Sequence, residues 1–106
     1  WPKSERLRGW LSALARMPAE EVILDWLADR TPAPVEQLPN TGVGMAREKF
    51  LSPVFIAGDD YGTRASTLLT LSAQGRGLLL ERQYHAGRPQ GSRRLNFSVQ
   101  PAARRP

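Results

Sequence analysis

The sequence predicts an α+β domain, an antiparallel sheet with covering helices. Two apolar segments, residues 66–71 and 78–84, flank a short gap that contains glycine, which is the pattern of an antiparallel hairpin. The first thirty residues instead repeat apolar side chains at helical spacing. Apolar side chains occur on both sides of the predicted strands, so both faces of the sheet are expected to be covered.

A helix pair is predicted over residues 4–30. The first helix spans residues 4–16, with Ser4 as its cap, and the second runs from Pro18 to the stop at Thr31-Pro32. Their apolar faces consist of Leu7, Trp10, Leu11 and Leu14 in the first helix and Val22, Ile23, Trp26 and Leu27 in the second. Two such helices would cover one face of the sheet.

The rest of the chain alternates stiff, flexible and extended segments. Residues 31–44 hold three prolines and are expected to form an extended connection. Antiparallel strands are then expected within residues 53–99. In order, the predicted elements are a helical turn at 45–51, strands at 54–57, 66–71, 78–84 and 95–99, a flexible loop at 86–93 and a flexible tail at 100–106.

Charge is unevenly distributed along the 106 residues. Residues 1–60 hold seven Lys or Arg and nine Asp or Glu, whereas residues 61–106 hold eight Arg and one acid. A basic half is typical of proteins that bind nucleic acid, an anionic small ligand or an acidic partner. Nucleic acid is the least favoured of these, because no stacking aromatics or recognition helix accompany the arginines.

Composition excludes several classes of chemistry within these residues. The chain has no cysteine and a single histidine, so it can hold no disulfide, no Cys nucleophile and no His-cluster metal site. No catalytic constellation is complete, and we assign no catalytic residue and no metal ligand. No apolar run approaches the roughly 20 residues that span a bilayer. With no leader visible either, we expect no membrane span and a cytoplasmic location.

A polar corner at the entry to the first hairpin strand is the main candidate site. It contains Tyr61, Thr63, Arg64 and Ser66. In a binding pocket, Arg64 would hold an anion and the hydroxyl groups would donate hydrogen bonds to the ligand. Such a pocket would accept a small hydrophobic or anionic ligand.

The same corner also has a structural interpretation, which the sequence alone favours. Gly62 would relieve a close approach of the chain, and Thr63 would bond to a turn backbone. Arg64 would then pair with Asp59 or Asp60.

Arg47 and Glu81 are further candidates for the pocket. Arg47 belongs either to a charged pair on a loop or to a site at the sheet edge. Glu81 and Arg82 lie on opposite faces of a strand, so one of them faces inward. An inward-facing Glu would be functional if buried alone, but paired or solvated charges are commoner.

Several blocks in order along the chain resemble the NRDE family, whose eukaryotic members are called transport and Golgi organisation protein 2. The most specific block is Tyr61-Gly62-Thr63-Arg64-Ala65-Ser66-Thr67. The others are Trp1-Pro2-Lys3, Leu27-Ala28-Asp29, Leu38-Pro39-Asn40-Thr41-Gly42-Val43, Arg47-Glu48, Leu51-Ser52-Pro53-Val54-Phe55-Ile56 and Glu81-Arg82.

The resemblance implies that residues 1–99 are the C-terminal segment of a single NRDE-like domain. It implies a fold similar to N-terminal-nucleophile hydrolases, with two stacked sheets between helix layers. In the family the candidate nucleophile is a Cys after the initiator Met, followed by an Asn-Arg-Asp-Glu signature, and this sequence has neither. We therefore expect this chain to be inactive alone and to pair with a missing N-terminal half.

The function that the resemblance implies is either amide-bond hydrolysis or the trafficking of haem or lipid-like cargo. In the second case haem would be cargo, and no cofactor of the chain itself is expected. A basic domain for an anionic partner is a third possibility, which the charge distribution suggests independently.

Overall fold

The structure, a computed structural model, describes residues 1–100 and has the predicted α+β composition. Three strands form one antiparallel sheet in the order β1-β2-β3, so the strands follow one another in sequence and in space. The elements are α1 (Pro2–Ser12), α2 (Glu20–Leu27), a single 3₁₀ turn (Val35–Gln37), α3 (Met45–Leu51), β1 (Ala65–Leu71), β2 (Arg76–His85) and β3 (Arg88–Ser98).

Helix α1 begins and ends earlier than the predicted 4–16. Pro2 lies in its first turn, where the missing N–H has no intrahelical partner to lose, and Trp1 is the cap residue. The Ser4 side chain makes no capping bond, so that prediction is wrong. Instead Ser12, at the other end, donates its hydroxyl to the carbonyl of Arg8 at 2.8 Å.

Helix α2 carries the centre of the core. Its cap is Ala19 in extended backbone, so Pro18 lies outside the helix rather than in its first turn. Glu20 and Glu21 occupy the first turn, where acids suit the helix dipole, as predicted. Leu24 is completely buried, and its cluster is completed by Leu68, Leu78 and Leu80 of the sheet.

The predicted hairpin is confirmed, with β1 and β2 antiparallel and Leu68 opposite Leu80. Burial alternates along β1, where Ser66 and Leu68 are buried while Thr67 and Leu69 are exposed. This is the two-faced alternation that the sequence predicted. Among residues 1–100 the helices cover only the face that carries Ser66 and Leu68.

Residues 86–93 are not a flexible loop, which corrects the sequence prediction. Ala86 and Gly87 form a two-residue turn with φ of 48° and 80°, and β3 begins directly at Arg88. Two successive positive φ values match the twist of a tight hairpin. Residues 88–94 carry no apolar alternation, because this part of β3 is an exposed edge strand, whereas the predicted strand at 95–99 is confirmed as the end of β3.

Residues 54–57 do not form a strand, although they are apolar. Their backbone bonds with loops instead, since Phe55 donates its N–H to the carbonyl of Asp29 at 2.8 Å. The Phe55 side chain is buried and meets the Tyr84 ring edge-on at 4.7 Å between centroids. The predicted helical turn at 45–51 is confirmed as α3.

No helix within residues 1–100 is long and apolar enough to cross a membrane. Most of the predicted flexible tail, residues 101–106, lies outside the described residues.

Candidate functional site

The structure brings two of the predicted site residues, Tyr61 and Arg47, into contact. The Arg47 guanidinium lies 5.8 Å from the centroid of the exposed Tyr61 ring, a cation–π distance. Phe50, on the next turn of α3, approaches the same ring at 6.4 Å between centroids. Two side chains of helix α3 therefore contact the Tyr61 ring, which precedes β1 by four residues.

Thr63 closes a loop through its backbone and its side chain. Its N–H donates to the carbonyl of Ile56 at 2.8 Å, and its hydroxyl accepts the N–H of Ile56 at 3.0 Å. A Cβ at Gly62 would lie 2.6 Å from the same carbonyl, which only glycine avoids. Thr63 and Gly62 thus have the turn-bonding and close-approach roles of the structural interpretation.

Arg64 starts the pairing of β1 and β2 through its backbone, since its carbonyl accepts the N–H of Tyr84 at 2.8 Å. Its side chain is exposed and forms no salt bridge within residues 1–100. The predicted pairing with Asp59 or Asp60 is therefore wrong. The guanidinium is left in solvent beside the corner.

Ser66 and Glu81 lie on opposite faces of the sheet. Ser66 is buried on the face beneath the helices, opposite Arg82 in the neighbouring strand. Glu81 points to the other face, where the side-chain amide of Gln83 donates to its carboxylate at 3.1 Å. A single pocket cannot contain both carboxylate and hydroxyl, so the six predicted residues divide into separate places.

Sequence reasoning did not single out the contact between Thr41 and Glu48. The buried Glu48 carboxylate accepts both the N–H of Thr41 at 2.8 Å and its hydroxyl at 2.6 Å. These bonds, the hydroxyl first, lower the pKa of Glu48 against the opposing effect of burial. Gly42 and Gly44, both at positive φ, bend the chain between them. The sequence feature that could have identified this contact is that Thr41 and Glu48 both belong to blocks of the family resemblance.

Four of those blocks meet around a small enclosed cavity of about 40 Å³. Inside this junction the Lys3 ammonium donates to the carbonyl of Leu51 at 2.9 Å. The space is large enough for a few water molecules but too small for a larger ligand. The junction therefore fixes the packing of α1 on α3. Its lining residues are Trp1, Pro2, Lys3, Pro39, Thr41, Glu48, Leu51 and Ser52.

Asp29, in another block, joins α1 to the connection that follows α2. One carboxylate oxygen accepts the N–H of Thr31 at 3.2 Å and its hydroxyl at 2.7 Å. The other lies 2.9 Å from Nε of Arg6 on α1. The backbone carbonyl of Asp29 accepts the hydrogen bond from the N–H of Phe55. Asp29 thus connects three segments: α1 through Arg6, the connection after α2 through Thr31, and the loop that contains Phe55.

A larger, open cavity of about 370 Å³ lies between the connection and α3. Arg30 and Lys49 provide its cations, and Phe50 and Phe55 line it with aromatic surface. Arg30 stacks on the Phe55 ring at 5.0 Å and donates to the carbonyl of Gly87 at 2.6 Å. Within residues 1–100 no group of three His, Cys, Asp or Glu side chains could hold a metal ion.

The covered face of the sheet is closed by ion pairs from α2. Arg94 of β3 makes two hydrogen bonds to the Glu20 carboxylate, one of them at 3.0 Å, and Arg82 approaches Glu21 at 3.3 Å. The two hydrogen bonds that Arg94 donates to Glu20 lower the pKa of Glu20 and raise the pKa of Arg94. Two arginines of the basic half therefore pair with the two carboxylates in the first turn of α2.

The opposite face, here called the open face, carries rows of aliphatic side chains with nothing above them among residues 1–100. Leu69, Leu79 and Leu95 face one another across the three strands. The next row toward the corner is polar and contains Thr67, Glu81 and Arg93. Relative exposures are 63% for Leu69, 59% for Leu71, 37% for Leu79 and 57% for Leu95.

Within residues 1–100 these features define an α+β architecture with one helical layer and one antiparallel sheet whose second face has no covering layer. The chain belongs to the Transport and Golgi organisation 2 family, whose model matches residues 1–86. The resemblance to the NRDE family is thereby confirmed. The match ends in the turn before β3, so the edge strand lies beyond it. Comparisons with curated proteins and with solved structures found no match.

Proposed function

We propose that this chain forms the C-terminal helix-and-sheet layer of an NRDE-family domain, and that the rest of that domain packs on the open face. The observation that supports this is the exposed row of Leu69, Leu79 and Leu95. Folded proteins rarely leave contiguous apolar patches larger than a few hundred Å² in water unless they mark an interaction site. Full burial of one leucine contributes about 1.5–3 kcal/mol. A second layer would recover this energy.

In this proposal the chain supports chemistry that takes place elsewhere in the domain. Enzymes with the fold that the resemblance implies hydrolyse amide bonds. Their nucleophile is the N-terminal residue, whose own amine acts as the base. The 106 residues hold no cysteine, so the nucleophile would belong to the second layer. Glu81 and Arg93, beside the leucines, are the polar groups that this chain would present at the junction.

The proposal is tested by comparing the 106-residue chain with the natural polypeptide that contains it. We expect the chain alone to bind a fluorescent apolar-surface dye strongly and to lack amidase activity. In the natural polypeptide the dye signal should fall, because the open face is covered. A folded, monomeric chain with weak dye binding would contradict the proposal.

A pair of charge substitutions locates the covering layer. Leu95→Lys places a charge on the open face and should restore strong dye binding in the natural polypeptide. Val35→Lys changes a similarly exposed aliphatic residue on the 3₁₀ turn, away from the sheet, and is the control. Equal effects of the two substitutions would show that the second layer is not on the open face.

A second candidate function is the binding of an amphiphilic anion, with haem as the cargo that the resemblance implies. It is favoured by the open cavity between Arg30, Lys49 and the two phenylalanines, whose volume of about 370 Å³ falls within the usual range for ligand pockets. The exposed Arg64, which forms no salt bridge within the described residues, is the other cation available to a carboxylate.

Haem titration of three proteins tests this candidate. If the cavity is the site, Lys49→Ala should weaken haem binding and Arg64→Ala should not. If the polar corner is the site, the order reverses. Absence of saturable binding, or equal affinity in all three proteins, would reject the cargo function for these residues.

A further inference from the structure

We propose that the sheet continues past β1, where a strand from the rest of the same domain pairs with the free edge of β1 beneath α1. This inference rests on the proposed function and adds a second contact to it. The open face would receive a layer, whereas the edge of β1 would receive a strand within this sheet.

The two edges of the sheet differ in chemistry. The edge strand β1 contains no charged residue and no proline. By contrast β3 carries three arginines together with Pro89 and Gly91, and its pairing with β2 shifts register between Gln83 and Tyr84. Charges, prolines and bulges are the devices by which proteins block strand addition at an edge. The β3 edge is blocked by them, and the β1 edge has none.

An open groove of about 560 Å³ runs along the free edge of β1. Four consecutive residues of β1, 67–70, line it, although their side chains alternate between the two faces. Neighbouring residues can share one groove in this way only along the strand's edge. No residue of β2 or β3 lines the groove, so it lies on the outer side of the sheet.

The far wall of this groove is formed by the end of helix α1, by residues 14–17 that follow it, and by Ile23 and Leu27 of α2. The first half of α1 is fixed by the contacts of Lys3 with Leu51 and of Arg6 with Asp29, and Trp10 stacks on Trp26 of α2. Toward the far end, the exposed Leu11 faces the groove. The helix has no buried residue. An apolar helix surface beside the last strand suits a sheet that extends beneath it.

The backbone of β1 provides the hydrogen-bonding groups for another strand. The carbonyl of Arg64 bonds to Tyr84 of β2, and in antiparallel pairing alternate residues repeat this orientation. Ser66, Leu68 and Thr70 therefore point their N–H and C=O groups toward β2. The intervening residues, Ala65, Thr67, Leu69 and Leu71, direct theirs to the free edge.

The lining of the groove defines the chemistry of the added strand. Arg16 is the one charged residue among the described residues that line it, and the others are mainly aliphatic. The strand should therefore be apolar where it faces α1 and α2, with no basic residue near Arg16. A second copy is the alternative occupant of this edge, and the concentration dependence of amide exchange in the chain alone tests it.

Residue-resolved amide hydrogen exchange tests the inference in the 106-residue chain and in the natural polypeptide. In the chain alone the amides of Thr67 and Leu69 should exchange freely, while those of Ser66 and Leu68 are protected. In the natural polypeptide we expect Thr67 and Leu69 to slow by roughly 100-fold or more. Slow exchange in the chain alone that depends on its concentration would point to a second copy and overturn the inference.

The matched variants are Thr67→Pro and Thr67→Ala. Proline removes the outward N–H without breaking a bond to β2, whereas alanine keeps it. Thr67→Pro should abolish the protection of Leu69 in the natural polypeptide, and Thr67→Ala should preserve it. Should Thr67→Pro fail to fold, the exchange rates of the unmodified proteins still decide the question.

Dye binding separates this inference from the proposed function. A natural polypeptide with a covered open face but freely exchanging Thr67 and Leu69 amides would overturn the strand addition alone. If the natural polypeptide also bound the dye strongly, the open face would be uncovered, and this result would contradict both the proposed function and the strand addition.

Discussion

The two faces of the sheet carry the same kind of residue in opposite environments. Leu68 and Leu80 oppose each other on the covered face and are 9% and 5% exposed. Their sequence neighbours Leu69 and Leu79 oppose each other on the open face and are far more accessible. Sequence alone therefore makes both faces apolar, and the short helix α2 covers only one of them.

This difference separates what stabilises the chain from what remains available to a partner. The core consists of Leu24 of α2 over three leucines of the sheet, closed at the β3 side by Glu20 and Arg94. Nothing comparable stabilises the open face among residues 1–100. Substitutions on the covered face should therefore act on folding, and those on the open face on association.

The largest contrast is expected between alanine substitutions at two neighbouring residues of β2. Leu80→Ala leaves a cavity in the core and should lower the free energy of unfolding by about 2–5 kcal/mol. Leu79→Ala removes an accessible side chain and should cost about 1 kcal/mol or less. Urea unfolding of both variants measures the difference. Similar losses would mean that the open face is already packed in the chain alone.

The sequence predicted the two-faced sheet well, because period-two alternation survives in β1 and β2. It predicted the end of β3, where Leu95 and Phe97 alternate with polar residues, but missed residues 88–94, which are polar on both sides, as an exposed edge strand allows. It also assigned a strand to residues 54–57, where Phe55 is buried by loop contacts with Asp29 and Tyr84. Burial of that kind leaves no periodic signal.

The candidate site was less predictable than the fold. Thr63 and Gly62 act locally, so their roles follow from turn chemistry. The contacts of Thr41 with Glu48 and of Arg6 with Asp29 join segments whose approach depends on the whole fold. Thr41, Glu48 and Asp29 were marked by their presence in the resemblance blocks, whereas nothing in the sequence marked Arg6.

A smaller effect is expected from acid, which should loosen the covered face through Glu20. The bonds from Arg94 hold the pKa of Glu20 below its ordinary value of 4.5, so the unfolded chain binds this proton more readily. The stabilising contribution is present above that ordinary value and is lost as pH falls through the lowered pKa. Urea midpoints should therefore decrease between about pH 6 and about pH 3.

Glu20→Gln should make that decrease smaller, because the substituted side chain no longer titrates. Part of the decrease should persist, since the bonds from Thr41 also lower the pKa of Glu48. Glu36→Gln, on the 3₁₀ turn, removes one carboxylate away from the sheet and controls for net charge. An unchanged acid response in Glu20→Gln would show that the pair with Arg94 does not hold α2 on β3.

The smallest effect in the chain alone is expected at Gly77, beneath the Phe97 ring on the open face. A Cβ at this position would overlap the ring. With no described layer above it, Phe97 can move aside, so Gly77→Ala should change the free energy of unfolding by about 1 kcal/mol or less. In the Phe97→Ala background the same substitution should stabilise by about 0.5–1 kcal/mol, because glycine weakens a strand interior. A loss above about 2 kcal/mol in both backgrounds would place the strain in the backbone. A larger loss in the natural polypeptide than in the chain alone would show that a second layer holds the ring in place.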